Sequence, residues 1–335
     1  MKVLSLFDGI SCGMAALERA GIPVERYVAY EIEPNAIKIS QKNYPAIEHC
    51  GDVTTADFTQ YQGFDLLIGG SPCQDLSVAK IGGKGLSGEK SGLFYQYLRA
   101  LKECRPKYFL LENVASMKNS DRDAITELLG VEPVAINSNL VSALERNRYY
   151  WTNIPGISQP EDKGLHFADV MESDVDERFY FSEKTYESMN KIVQRSKERG
   201  LGFRTGIIES PDSEKFKNLD ANYHKGCDGK RSMVRAADGR LRMATPTEAE
   251  RLQTLPDGYT EGISNTRRYM CRGNGWTVDV IAHILKGLAP EQERKNLVNL
   301  VHEAIANWEH GDICERIADH LIANGVTVQM GSGAL

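Results

Sequence analysis

Cys73 lies in Gly69-Gly70-Ser71-Pro72-Cys73-Gln74, directly after the apolar run Phe64-Asp65-Leu66-Leu67-Ile68. The run reads as a buried strand, so the cysteine sits on the loop at a strand's carboxyl end. Open α/β sheets bind ligands there. A thiolate in that place is a nucleophile when its neighbours lower its pKa. A small buried apolar residue is the other reading of the same cysteine. Glu112 follows a second apolar run, Tyr108-Phe109-Leu110-Leu111. A carboxyl so placed can serve as a general acid, or can close a structural salt bridge. Arg146 and Arg148 alternate along a third candidate strand, which puts both guanidiniums on one face. They can hold a carbonyl oxygen or a phosphate, or form a surface ion pair.

Acids at three earlier strand ends suggest a ligand. Lys2 to Phe7 runs into Asp8-Gly9-Ile10-Ser11-Cys12-Gly13, and Arg26 to Ile32 ends in Glu31. Gly51-Asp52-Val53 closes a third unit. The first loop is neither a Walker sequence nor GxGxxG, so phosphate binding is not implied. An acid about twenty residues past a glycine loop can accept from ribose hydroxyls. Ile32 can pack on an adenine face, and Asp52 can accept from an adenine amino group. Asp8, Glu31 and Asp52 together describe a pocket for a nucleoside with positive charge and no phosphate. S-adenosylmethionine fits that description; three solvated loop acids are the bland alternative.

The elements that must hold these residues follow from periodicity. Strands are expected over Lys2–Phe7, Arg26–Ile32, Phe64–Ile68, Lys107–Val114, Glu132–Asn139 and Asn147–Asn153, with helices over Met14–Ala20, from Pro34, and over Leu93–Leu101. Asp75 to Ser91 is a long loop rich in Gly and Lys, and a closing lid is the expectation. From about Gln159 to Met243 the chain turns polar, with Arg204, Lys215, Lys217, Lys225, Lys230, Arg231, Arg235, Arg240 and Arg242 among small residues. Thr245-Pro246-Thr247-Glu248 opens a capped helix, and Gly273-Asn274-Gly275-Trp276 leads into another over Val280–Leu288. Two more helices are expected, over Glu291–Trp308 and Ile313–Ala323.

The 335 residues carry a net charge of -6, so a nucleic-acid surface must be a local basic patch. The seven cysteines are scattered with no zinc spacing, so no metal is expected. Their scatter fits a reducing compartment, and no leader or long apolar span is seen. A soluble cytoplasmic protein without membrane contact is expected.

The ordered set Phe7-Asp8-Gly9, Pro72-Cys73-Gln74, Glu112-Asn113-Val114, Arg146-Asn147-Arg148 and Gly273-Asn274-Gly275 resembles the DNA cytosine-5 methyltransferases. In wording it is most similar to the animal de novo type, through Ser91-Gly92-Leu93-Phe94 and Trp276-Thr277-Val278. With no reader domain in front, a stand-alone prokaryotic or phage enzyme is expected. The resemblance implies an α/β fold, a Rossmann-like S-adenosylmethionine-dependent methyltransferase sheet. It places a catalytic domain at 1–158 plus 244–289, an inserted target-recognition domain at 159–243 and a helical C-terminal extension at 290–335.

The implied reaction transfers a methyl group from S-adenosylmethionine to C5 of a flipped-out cytosine in duplex DNA, through a Cys73 adduct at C6. Glu112 would act at N3 and Arg148 at O2, with Arg146 in support. The base that removes the C5 proton is not assigned. Cofactor contacts fall on Phe7, Asp8, Gly9, Gly13, Glu31, Ile32, Asp52, Val53, Asn274, Trp276 and Val278. DNA contacts fall on Ser77, Lys80, Ile81, Lys84, Arg204, Lys225 and Arg231, with Ala79 to Ile81 filling the vacated base space. The family's glutamine ahead of the paired arginines is not evident; Leu144 or Glu145 stands there. The partner implied is double-stranded DNA; a homo-oligomer and a cognate restriction endonuclease are left open. The competing readings are a transfer-RNA cytosine-5 methyltransferase and a catalytically silent DNA-binding homologue.

Overall fold

The computed structural model describes residues 1–72, 91–199, 206–217, 219–225 and 232–289. Cys73, Ser77, Lys80, Ile81, Lys84, Arg204 and Arg231 lie outside these residues, as do the expected lid and the helices past 290.

The chain folds as an α/β protein around one large sheet. Its strands are β1 (Lys2–Leu6), β2 (Arg26–Tyr30), β3 (Glu48–His49), β4 (Leu66–Gly70), β5 (Tyr108–Val114), β6 (Val134–Asn137) and β7 (Asn147–Thr152). They lie in the order β3-β2-β1-β4-β5-β7-β6. The pairs from β3 through β5 are parallel, and β7 enters antiparallel between β5 and β6. The run from β1 goes first to one side and then, at β4, to the other. That reversal opens a crevice at the carboxyl ends of the strands.

These segments are strands because both faces are buried. Val3, Ile68, Leu110 and Tyr150 join one apolar cluster, while Leu4, Leu67, Leu111 and Trp151 join another on the opposite face. A parallel strand covered on both sides reads as a near-continuous apolar run, and these do. Helices α1 (Cys12–Arg19) and α2 (Pro34–Asn43) follow the first strands; α3 (Phe94–Cys104) and α4 (Asn119–Leu129) flank β5. Next in the chain are α5 (Glu183–Glu198) and the capped helix expected at Thr245, which is α6 (Pro246–Leu252). Thr245 and Glu248 form a reciprocal capping box on α6. Then come α7 (Asn265–Asn274) and α8 (Val278–Leu285).

Residues 159–243 add α5 and a small sheet of β8 (Ile207–Ile208), β9 (Met233–Arg235) and β10 (Leu241–Arg242). Phe167, Phe216, Tyr223 and Val234 from this segment share one apolar cluster with Leu144, Leu252 and Tyr269. A buried bidentate pair, Arg242 to Glu248 at 2.7 Å on both oxygens, ties β10 to α6. No helix among the described residues is long and apolar enough to cross a membrane.

Candidate active site

A cavity of about 550 Å³ lies at the carboxyl ends of β1 to β5. Its size is that of a small-molecule site. On the β1–β3 side it is lined by Phe7, Gly9, Glu31, Ile32, Asp52 and Val53. On the β4–β7 side it is lined by Pro72, Glu112, Asn113, Arg146 and Arg148. Asn274 and Cys271 from α7 close it.

The β1–β3 side is acidic and apolar. Glu31 is fixed by backbone donors: Oε2 accepts from Gly9 N–H, and Oε1 from Ile32 and Glu33 N–H, all at 2.8 Å. Asp52 accepts from Thr54 N–H at 2.8 Å, and that hydrogen bond lowers its pKa. Ile32 is 69% exposed, which is unusual for a large apolar residue and places an open hydrophobic face in the cavity. Phe7, Gly9 and Ser11 all take left-handed φ, at 57°, 60° and 60°. For Phe7 and Ser11 that costs about 1–2 kcal/mol each, and such strain gathers where a loop is shaped for a ligand.

The β4–β7 side presents a carboxyl group and two guanidiniums. Glu112 stands level with Gly70 across the parallel pair and with Tyr150 across the antiparallel pair. Arg148, paired with Val114, is its diagonal neighbour. Arg148 Nε reaches Glu112 Oε1 at 2.8 Å, and the Trp276 indole N–H donates to Oε2 at 3.2 Å. Asn113 Nδ2 donates to Ser71 Oγ at 3.1 Å and to Ser71 O at 3.3 Å, so β5 holds the backbone that leads into Pro72. Arg146 Nη2 donates to the carbonyls of Gly273 at 3.2 Å and Gly275 at 3.0 Å.

The sequence profile described as C-5 cytosine-specific DNA methylase matches residues 1–130 and 139–289, which include every element lining this cavity. The chain belongs to the C-5 cytosine-specific DNA methylases. The type II methyltransferase M.NlaX of Neisseria lactamica is 28% identical over 84% of this chain and 94% of its own length. The type II methyltransferase M1.ScrFI of Lactococcus lactis subsp. cremoris is 29% identical, over 88% of this chain and 79% of its own. Among solved structures, the Entamoeba histolytica methyltransferase EhMeth superposes with a TM-score of 0.71 at 18% identity, covering 87% of this chain and 98% of that one. The last likeness establishes the Rossmann-like methyltransferase fold. The family makes this chain an enzyme that methylates cytosine in DNA.

In this methylase the expected cofactor contacts Phe7, Gly9, Glu31, Ile32, Asp52, Val53 and Asn274 do meet in the cavity; Asp8, Gly13, Trp276 and Val278 do not line it. Asp8 turns inward: Oδ1 accepts from Ser5 Oγ at 2.6 Å and Tyr27 O–H at 2.7 Å, and Oδ2 from Ser11 Oγ at 2.5 Å. Its carboxyl is occupied in shaping the loop. Gly13 is a packing position, where a Cβ would stand 2.4 Å from Ile68 Cδ1. Val278 is fully buried, and its N–H donates to Gln253 O at 3.0 Å. Of the expected DNA contacts, Lys225 is described, exposed at the end of a short 3₁₀ turn. Sequence reasoning missed Asn113 as the holder of Ser71, and missed Gln253, whose Nε2 donates to Arg272 O at 2.5 Å and Gly275 O at 3.2 Å. The signal for Asn113 was its place beside Glu112; Gln253 had none. Three other cysteines are unsuited to nucleophilic work, because burial pushes Cys12 up to about 12 and Cys104 and Cys271 up to about 11.

The partly buried Asp8 makes a pH prediction. Burial raises its pKa above the usual carboxylate value despite three hydroxyl donors. The folded state therefore keeps this proton to higher pH than the unfolded chain, which loses it near ~3.9. Where the folded state binds more protons, stability falls as pH rises. Asp8→Asn removes that decline, so the variant's melting temperature minus that of the parent grows as pH rises above about 4. Thermal melts across that range check it; a difference that does not change with pH contradicts it.

Proposed function

We propose that this chain transfers the methyl group of S-adenosylmethionine to C5 of a cytosine flipped out of duplex DNA, by way of a covalent Cys73 adduct at C6. The observation that carries the reading is a cavity joining an acidic, apolar half to a half that presents Glu112 and Arg148. The acidic half fits the donor. It offers the carboxylates of Glu31 and Asp52 and the open face of Ile32, and among the described residues no lysine or arginine lines that side. Such a set suits a nucleoside with a cationic centre and disfavours phosphate. Glu31 and Asp52 would take ribose and adenine donors, and Ile32 with Phe7 and Val53 would pack the base. When bound, the donor supplies an electrophilic methyl on a sulfonium.

The residues of the other half then act on the cytosine. Cys73 Sγ adds to C6, which makes C5 electron-rich and able to take the methyl. Glu112 protonates or hydrogen-bonds N3 while charge builds on the ring, and Arg148 holds O2. Departure of the C5 proton releases Cys73 and restores the ring. A stacked base cannot reach these groups, so the cytosine is turned out of the helix. We further propose that 1–158 with 244–289 form the catalytic domain, that 159–243 read the target and that 290–335 are an extension. The separate small sheet of β8 to β10 supports the middle assignment.

The test is transfer from labelled S-adenosylmethionine to duplex DNA of mixed sequence and to total transfer RNA, with digestion and identification of the nucleoside by mass. 5-Methylcytosine in DNA is the expected product. Label in RNA alone, or in neither while the cofactor still binds, overturns the reading.

A further inference from the structure

Trp276 lies against the cavity without lining it, and its indole N–H points at a buried carboxylate there. The N–H donates to Glu112 Oε2 at 3.2 Å, while Arg148 Nε holds Oε1 at 2.8 Å. Glu112 is 8% exposed, so neither oxygen is loosely solvated. An indole nitrogen only donates, and it therefore keeps Oε2 as an acceptor. With both oxygens engaged from different directions, the plane of the carboxyl is fixed.

The surroundings are cut to admit this ring. At Gly70 a Cβ would stand 2.9 Å from both Trp276 Nε1 and Glu112 Oε2, so any side chain there on β4 would part them. At Gly13 a Cβ would come within 3.5 Å of the indole's Cζ3. The backbone on either side of Trp276 is also held. The carbonyl of Gly275 accepts from Arg146 Nη2 at 3.0 Å and Gln253 Nε2 at 3.2 Å. Thr277 Oγ1 and Ser138 Oγ are hydrogen-bonded at 2.8 Å. The ring thus has a fixed base, a fitted slot and a polar contact, and that contact is the proposed acid.

We propose that Trp276 is a positioning residue for methyl transfer, aiming the Glu112 carboxyl at the base through its indole N–H, and that Arg146 serves the same end by holding the carbonyls of Gly273 and Gly275 at the end of α7. This rests on the reading of Glu112 given above. Losing this contact should slow turnover by about 10-fold or more.

The experiment is a cycle of Trp276→Phe, Glu112→Ala and the double variant, with kcat from labelled transfer and cofactor affinity from calorimetry. Trp276→Phe is expected to lower kcat about 10-fold or more with cofactor affinity kept within about 3-fold. In the Glu112→Ala background it should add less than about 2-fold, because the group it aims is gone. Near-normal kcat in Glu112→Ala removes Glu112 from catalysis and with it the reading above. A collapse in Glu112→Ala with normal kcat in Trp276→Phe, or with losses that multiply in the double variant, overturns the inference alone. Lost cofactor affinity with kcat unchanged also overturns it, and makes Trp276 a cofactor contact. Where the Trp276→Phe substitution disturbs folding, benzothienylalanine in place of Trp276 keeps the ring shape and removes only the donor. It should reproduce the loss of kcat with an unchanged melting temperature, and normal turnover in that variant counts against the proposal.

Discussion

Cys73→Ala abolishes methyl transfer and leaves S-adenosylmethionine affinity unchanged. The expectation follows from a division of labour across the sheet. In the proposed reading the donor is held by Glu31, Ile32 and Asp52, which follow β2 and β3 and line the cavity, whereas Cys73 follows β4 in the chain. Cytosine C5 without addition at C6 is too poor a nucleophile for a sulfonium methyl, so loss of the Cys73 thiolate leaves C5 unactivated. The buried thiols Cys12, Cys104 and Cys271, held protonated by burial, offer no substitute. Filter-bound label and calorimetry on the same preparation check both halves. Residual turnover within about 10-fold of the parent would remove the covalent route, which carries a larger share of the barrier than that.

Glu112→Gln lowers single-turnover methyl transfer by about 100-fold or more, or about 2.7 kcal/mol. Glutamine keeps the shape but has no acid proton for N3. Its amide also disturbs the local pairing. Arg148 Nε and the Trp276 indole are both donors, each now facing one carboxylate oxygen. An amide presents one acceptor and one donor, so one of these contacts becomes donor against donor. Glu112 is 8% exposed, and water cannot relieve the mismatch there cheaply. Rapid-quench transfer with saturating DNA is the measurement. A rate within a few-fold of the parent would place the proton at N3 elsewhere.

Much of this was legible in the residues and some was not, for physical reasons. The strands that carry the site announce themselves because they are buried on both faces; Leu66-Leu67-Ile68 and Phe109-Leu110-Leu111 have no polar side to confuse the reading. The chain order of strand ends grouped Asp8, Glu31 and Asp52, of which Glu31 and Asp52 line the cavity. Helices α4 and α7 escaped notice because their apolar faces are thin. In α4 only Ile125 is buried, and α7 buries Arg272 beside Tyr269 and Cys271. A buried arginine breaks the apolar period on which a helix is recognised. Asp8 shows the limit of reading residue types. A carboxylate in a strand-end loop suits a cationic ligand, yet three hydroxyls from Ser5, Ser11 and Tyr27 claim it. Trp276 shows the converse. Its partner Glu112 is 164 residues away, and no local pattern marks the meeting.

The most direct test of the account is a trap. A duplex containing 5-fluorodeoxycytidine at the mapped target cytosine, with S-adenosylmethionine present, lets addition and methylation proceed and blocks the final elimination, because fluorine at C5 does not leave as a cation. The account predicts a denaturation-stable protein–DNA species whose proteolysis yields one modified peptide, joined to the nucleotide at Cys73. An adduct mapped to any other residue, or no adduct with DNA that the enzyme methylates when fluorine is absent, would contradict it.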